Sequence, residues 1–175
     1  MCKLIPDLHL PVCTALSAQE LTRRGIRALV LDLDNTLAPY EQPEPDEALC
    51  QWIESMQAAG IRCAIVSNNH SERVARFARG LSLPAYTDAA KPFPRAFRRA
   101  MREMGVSPAE TAAIGDQIYT DLLAARLAHV GFVVTVLPIR DRRDLLTRMK
   151  RLCERPVMRA YRRRQKKIEK EDKQS

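Results

Sequence analysis

Asp32-Leu33-Asp34-Asn35-Thr36 sets two carboxylates two residues apart, with a hydroxyl two residues further on. Later come Ser67-Asn68-Asn69, an isolated Lys91, and Gly115-Asp116-Gln117 with Asp121 five residues after Asp116. Together these offer paired carboxylates, a hydroxyl beside backbone amides, and one ammonium. Phosphoryl transfer through an aspartyl-phosphate needs that set. A carboxylate attacking a phosphate monoester meets anion repulsion, which Mg²⁺ relieves by bridging the nucleophile and the phosphoryl oxygens. On this reading Asp32 is the nucleophile. Asp34 protonates the leaving oxygen and later deprotonates the attacking water. Asp32, the backbone carbonyl of Asp34 and Asp116 hold the metal, and Asp121 orients the metal's water shell or Lys91. Ser67 and the amide of Asn68 hold the transferring oxygens, and Lys91 offsets charge on the phosphoryl group and nucleophile. Thr36 supports the turn and its hydrogen bonds and is grouped with Ser67, Asn68 and Lys91 on the phosphate-binding side.

Such groups act together only if the chain brings them to one place. Short apolar runs at 28–32, 61–66, 83–86, 111–115 and 131–136 read as buried strands. Between them, 46–59, 71–80, 92–104 and 120–128 carry helical spacing, and Ser17-Ala18-Gln19-Glu20 fits a capping box opening a short helix. Alternating strands and helices with short connections predict a parallel sheet covered by helices on both faces. In such sheets ligands bind beyond the carboxyl ends of the strands. Every polar group named above follows a predicted strand. Each motif alone has a structural explanation: carboxylates after a strand cap the next helix, and Gly-Asp is a common turn. Their joint position at four strand ends favours chemistry. Trp52 and Met56 read as core, and Cys63 as a buried small hydrophobe.

DxDxT after a hydrophobic strand, Ser-Asn after a second, a lone Lys and GDxxxxD after a later strand resemble the four motifs of haloacid dehalogenase-type (HAD) phosphatases. A fuller likeness runs through Ile5-Pro6-Asp7, Asp32-Leu33-Asp34-Asn35-Thr36-Leu37, Ile65-Val66-Ser67-Asn68-Asn69, Lys91-Pro92 and Ile114-Gly115-Asp116-Gln117 with Thr120-Asp121. These stretches are similar to the YqeG subfamily, within subfamily IIIA, which includes phosphatidylglycerophosphate phosphatases of mitochondria and plastids. The resemblance implies a HAD-like Rossmannoid three-layer α/β/α sandwich with strand order 3-2-1-4-5, and Mg²⁺ dependence. It also implies the same assignment of Asp32, Asp34, Ser67, Asn68, Lys91 and Asp116. Thirty residues separate Thr36 from Ser67 and 23 separate Ser67 from Lys91. Neither gap has room for a separate cap domain, so the mouth is expected to be open, or covered by the loop at 37–45 or another subunit. An open mouth suits a phosphate on a lipid, a protein or a nucleic-acid end.

The 175 residues suffice for one buried core, and 46% hydrophobic with 29% charged residues is a globular composition. No apolar run approaches the ~20 residues that span a bilayer. The first residues, Met1-Cys2-Lys3-Leu4-Ile5-Pro6-Asp7, do not predict a secretory leader, and five scattered Cys without a CxxC pair predict reduced thiols in a cytoplasmic protein. The net charge of +8 is unevenly spread. Residues 140–175 hold 15 basic and 6 acidic side chains, leaving residues 1–139 at −1. The expected division is a phosphatase domain at 1–139, its core about 26–139, and a basic amphipathic helix and tail at 140–175. Leu145, Leu146, Met149, Leu152 and Cys153 recur at helical spacing, Pro156 is expected to interrupt or kink the pattern, and Val157, Met158 and Tyr161 resume it. Such a segment can lie peripherally on an anionic membrane, or pack on the domain and end in about a dozen solvated or disordered residues. Nucleic acid is a weaker partner, since only 5% of residues are aromatic. Two functions stay open: an Mg²⁺-dependent phosphomonoesterase, with phosphatidylglycerophosphate as first substrate and phosphoprotein, polynucleotide end or small metabolite as alternatives; or a non-catalytic basic module binding RNA, ribosomes or protein.

Overall fold

The computed structural model describes residues 4–69, 72–140 and 145–172. Six parallel strands form one sheet: β1 (Leu8–Leu10), β2 (Ala28–Leu31), β3 (Arg62–Val66), β4 (Ala85–Tyr86), β5 (Thr111–Gly115) and β6 (Phe132–Val136). Their order is β1-β6-β5-β2-β3-β4. The five predicted strands thus take the expected 3-2-1-4-5 arrangement, and β1 extends its edge. Side chains alternate between two apolar layers, as the two-residue strand period requires. Leu29, Leu31, Cys63, Ile65, Ile114 and Val134 face one layer. Ala28, Val30, Ala64, Val66, Ala113 and Val133 face the other.

On the first face lie α1 (Ala18–Arg23), α2 (Glu47–Ala58) and α3 (Glu72–Gly80). The predicted core residues Trp52 and Met56 are buried there, and the Trp52 indole N–H donates to the Leu16 carbonyl at 2.8 Å. Ser17 caps α1 by accepting from the Glu20 amide, which is half of the predicted capping box, while the Glu20 carboxylate pairs with Arg24. On the second face lie α4 (Arg95–Glu103) and α5 (Leu123–Leu127). The small side chains of Ala28, Ala64 and Ala113 let these helices approach closely. Asp7 explains part of the Ile5-Pro6-Asp7 motif. Its Oδ2 accepts from the Val133 amide at 2.8 Å and from Arg126 at 3.0 Å, which fastens the lead-in to β1 against β6 and α5.

Several boundaries differ from those predicted. The helix expected over 92–104 starts at Arg95, after a Pro92–Pro94 turn, because two prolines hold the chain out of regular helix. The expected start of α3, Ser71, lies outside the described residues. The helix expected over 120–128 opens as one wide π-type turn, Ile118–Leu122, before α5. The largest correction concerns the C-terminus. Helix α6 (Leu145–Asp172) continues through Pro156 without the expected interruption, and the end expected to be solvated or disordered is helical to Asp172 with its described side chains mostly exposed. A proline inside a helix costs about 3 kcal/mol, and tertiary contacts on both sides of Pro156 offset it. The Ile118 amide donates to Glu154 Oε1 at 2.9 Å, the Tyr119 hydroxyl to the Cys153 carbonyl at 2.8 Å, and the His9 amide to the Tyr161 hydroxyl at 3.1 Å. The packed stripe is therefore Glu154, Val157, Met158 and Tyr161. Leu152 and Cys153, expected on the apolar face, are exposed. The side chains of residues 145–151 lie outside the described set.

Candidate active site

The carboxyl ends of β2, β3 and β5 meet where the motifs predicted. Asp32 leaves β2, Ser67 leaves β3 and Asp116 leaves β5, while Lys91 follows β4. Carboxylate oxygens of Asp32, Asp116 and Asp121 lie within 4.8 Å of one another. All three residues are buried or nearly so, at 9%, 4% and 6% exposure. Lys91 Nζ sits between two of them, 2.6 Å from Asp32 Oδ1 and 2.7 Å from Asp121 Oδ1, and also donates to the Val66 carbonyl. Thr36 donates its hydroxyl to Asp32 Oδ2 at 2.7 Å. Asp32 is thus oriented through both oxygens.

The electrostatics follow from this crowding. Burial and the neighbouring Asp121 charge push the Asp32 carboxyl up, to about 6, against the opposing pull of Lys91 and Thr36. Burial alone would lower Lys91, but the carboxylates of Asp121 and Asp32 more than reverse it, and the ammonium is held firmly protonated. Asp32 and Asp121 share the Lys91 ammonium, and Asp116 adds a third carboxylate beside them. An all-oxygen donor set of this kind fits a hard divalent cation.

Local chain geometry makes the cluster. A Cβ at position 115 would overlap the Asp121 side chain, so Gly115 lets Asp121 fold back against the end of β5. The wide turn at Ile118–Leu122 brings it there, and Asp121 Oδ2 accepts from the Gln117 amide at 3.1 Å. Asn35 adopts a positive φ of 64°, which turns the chain immediately after Asp34, the acid/base candidate.

The other predicted residues divide. The Ser67 hydroxyl is buried and accepts from the Asn69 amide at 3.0 Å. The Asn68 side chain is committed to the Lys91 backbone in both directions, receiving its N–H at 2.7 Å and donating to its carbonyl at 3.1 Å. That leaves the Asn68 main-chain amide, which the sequence assigned to the phosphate, as its group for an anion. The Thr36 hydroxyl, grouped with the phosphate contacts by sequence, is engaged by Asp32.

The Asp34 carboxylate stands outside the three-carboxylate cluster. Its Oδ1 pairs with Arg73 at 2.6 Å. Arg73 also donates to the Pro39 and Gln42 carbonyls, both at 2.8 Å, and lies over the rings of Tyr40 and Phe77. One guanidinium thus ties the acid/base candidate to the loop at 37–45 that flanks the mouth. Sequence reasoning missed Arg73, and no spacing signal announces it. The stretches between Thr36 and Ser67 and between Ser67 and Lys91 hold α2, β3, α3, β4 and their loops, and no cap domain appears among the described residues.

A parallel sheet in this order, with acidic residues at its central strand ends, defines the haloacid dehalogenase-like class. A family model for haloacid dehalogenase-like hydrolases matches residues 40–129, and one for "Mitochondrial PGP phosphatase" matches residues 2–77. The chain is 33% identical over 160 residues to "Probable phosphatase YqeG" of Bacillus subtilis strain 168, covering 91% of this chain and 92% of that protein. Among solved structures, the cobalt-bound deoxy-D-mannose-octulosonate 8-phosphate phosphatase of Haemophilus influenzae shares the fold at TM-score 0.55 and 18% identity, over 73% of this chain and 75% of that one. A putative subfamily III A hydrolase of Legionella pneumophila does so at TM-score 0.52 and 20% identity, over 69% and 70%. The chain belongs to the YqeG-like phosphatases of the haloacid dehalogenase superfamily.

Proposed function

We propose that the chain is an Mg²⁺-dependent phosphomonoesterase working through an aspartyl-phosphate on Asp32, and that its substrate is phosphatidylglycerophosphate, consumed in phosphatidylglycerol synthesis. The observation that carries the chemistry is the buried grouping of Asp32, Asp116 and Asp121, with Lys91 paired to Asp32 and Asp121. Asp32 and Asp116, with the main-chain carbonyl of Asp34, would hold Mg²⁺. The bound ion would screen the repulsion between carboxylate and phosphate. An Asp32 oxygen attacks phosphorus and the bond to the leaving oxygen breaks, while Asp34 donates the proton that the departing alkoxide takes. Asp34, now a carboxylate, then removes a proton from water. That water attacks phosphorus, the Asp32–phosphoryl bond breaks, and phosphate and free Asp32 result. Thr36 and Lys91 fix the orientation of Asp32 throughout, and Asp121 fixes Lys91. Ser67 and the Asn68 amide receive the phosphoryl oxygens.

The lipid assignment is supported by the match of residues 2–77 to the PGP phosphatase model, and it fits a mouth with no cap domain among the described residues. Among the described residues, no helix is long and apolar enough to cross a membrane. Peripheral contact would rest on the exposed basic residues of α6, such as Arg159, Arg163, Arg164 and Lys166, at about 1 kcal/mol each near an anionic surface.

The test compares hydrolysis of phosphatidylglycerophosphate in anionic vesicles, a phosphopeptide and a 3′-phosphorylated oligonucleotide, each with Mg²⁺ and with chelator. Mg²⁺-dependent turnover of the lipid, lost in Asp32→Asn, is expected. Good turnover of another class without the lipid would overturn the substrate. Equal rates for wild type and Asp32→Asn would overturn the mechanism.

A further inference from the structure

A cavity of about 260 Å³ opens beyond the carboxyl ends of β5 and β6, where α6 crosses them. Asp116, a member of the acidic cluster, forms part of its wall. Its floor is apolar, from Ile118, Val136 and Met158. Its rim carries two guanidinium groups, Arg155 and Arg162. Both side chains are exposed, and among the described residues neither makes an ion pair or hydrogen bond.

These are not loose surface arginines on a fraying tail. Arg155, Met158 and Arg162 recur at helical spacing on one side of α6, flanking the residues that fasten it. Glu154, next to Arg155, is buried and receives the Ile118 amide; Tyr161, next to Arg162, is buried and receives the His9 amide. The helix is therefore pinned beside each arginine. His9, also lining the cavity, is half-buried with its ring Nδ1 3.0 Å from the Thr135 hydroxyl. Burial and the nearby Arg162 charge lower its pKa, so the imidazole is neutral at neutral pH and Arg155 and Arg162 are the cavity's cations.

We infer that Arg155 and Arg162 read a second negative charge on the substrate, carried by the alcohol that departs from the phosphoryl group. The inference rests on the phosphatase reading above. A site that ends at Asp116 accepts the far part of whatever is bound at the acidic cluster. An apolar floor takes a short carbon linker, and two guanidinium groups favour a phosphate ester beyond it, since planar donors match phosphate oxygens. The shared chemistry is a phosphomonoester joined through a few carbons to a second phosphate group. A phospholipid phosphodiester and a soluble bisphosphate both present it.

The experiment uses three substrates with Mg²⁺: glycerol 3-phosphate, deacylated phosphatidylglycerophosphate, and the intact lipid in vesicles. p-Nitrophenyl phosphate serves as the general check on turnover. The wild-type kcat/KM is expected to favour the deacylated diester over glycerol 3-phosphate by roughly 100-fold, and the double substitution Arg155→Gln with Arg162→Gln to collapse that ratio by roughly 30-fold, mainly through KM. Arg155→Lys with Arg162→Lys should restore part of it. Circular dichroism on each variant reports that α6 is still formed. Calorimetric binding of the deacylated diester to Asp32→Asn, with and without the Gln substitutions, reads the same contact without turnover; a roughly 30-fold loss of affinity is expected. A wild-type ratio near one, or a ratio or affinity that the Gln substitutions leave unchanged, overturns the inference. So does a loss confined to vesicles, because the arginines then meet the membrane rather than the substrate. Failure to hydrolyse any of these esters overturns the phosphatase reading instead, and the binding arm then decides the arginines separately.

Discussion

Asp32 and Asp34 lie two residues apart after the same strand, yet the fold puts them in opposite surroundings. Asp32 is all but buried, crowded by two further carboxylates, and shares one ammonium with Asp121. Asp34 is part-exposed and owns a guanidinium to itself, through a residue that also grips the loop at the mouth. In the first region three carboxylate side chains gather within reach of one ion, an arrangement suited to a cation from outside. In the second, Asp34 is matched by Arg73, and the pair instead connects a side chain to the backbone of the loop at 37–45. One residue type can therefore serve as nucleophile in one place and as proton carrier in the other, because the neighbours set the role.

Breaking the two regions should give different kinetic signatures. Asp32→Asn is expected to lower kcat by about 10⁴-fold or more for every substrate, measured with aryl and alkyl phosphates alike. Lys91→Met leaves the buried carboxylates without their cation. It should cost about 3–5 kcal/mol of metal-free stability in urea unfolding and about 10²–10³-fold in kcat. Arg73→Ala frees Asp34 and the loop. Alkyl phosphates, whose leaving oxygen needs a proton, should slow by about 10²-fold, whereas p-nitrophenyl phosphate should slow by less than about 10-fold. Equal losses on both would show that Arg73 does not act through Asp34.

Two smaller effects sharpen the contrast. The folded Asp32 carboxyl binds its proton more tightly than the ordinary value of 3.8, at about 6. In that window the native state holds the extra proton, so metal-free protein loses stability as pH rises from about 4 through about 6. Mg²⁺ favours the ionised form that burial disfavours. The rise in Tm that it produces should therefore be larger at pH 7.5 than at pH 4.5, read by calorimetry. A constant rise across that range would place the ion away from Asp32. Thr36→Val removes one hydrogen bond to Asp32 and should cost about 1 kcal/mol, or roughly 2–4 °C in Tm.

Much of this was legible from residue order. The runs that became β2, β3, β5 and β6 are buried on both faces, so they are apolar at nearly every position and easy to see. Asp32, Ser67, Lys91 and Asp116 follow strands, and the topology of a parallel sheet gathers strand ends without further instruction. Strand β1 escaped notice because three residues, Leu8-His9-Leu10, carry too little pattern, and its register against Val134–Val136 depends on β6 being already in place. Glu154 gave no signal either. One acid among six in a basic tail looks solvated until the Ile118 amide is seen to need an acceptor.

The amino-acid order alone determined the alternation of strand and helix, the identity of the four strand-end motifs and the charge imbalance of the C-terminus. Those depend on side-chain type and short spacing, which are local. Only the tertiary structure decided that Arg73 belongs to Asp34, that Asp121 pairs with Lys91 rather than serving only a metal's water shell, and that α6 stays helical through Pro156. Each joins groups far apart along the chain, and a pairing of that kind exists only once burial has excluded water and fixed the distance between them.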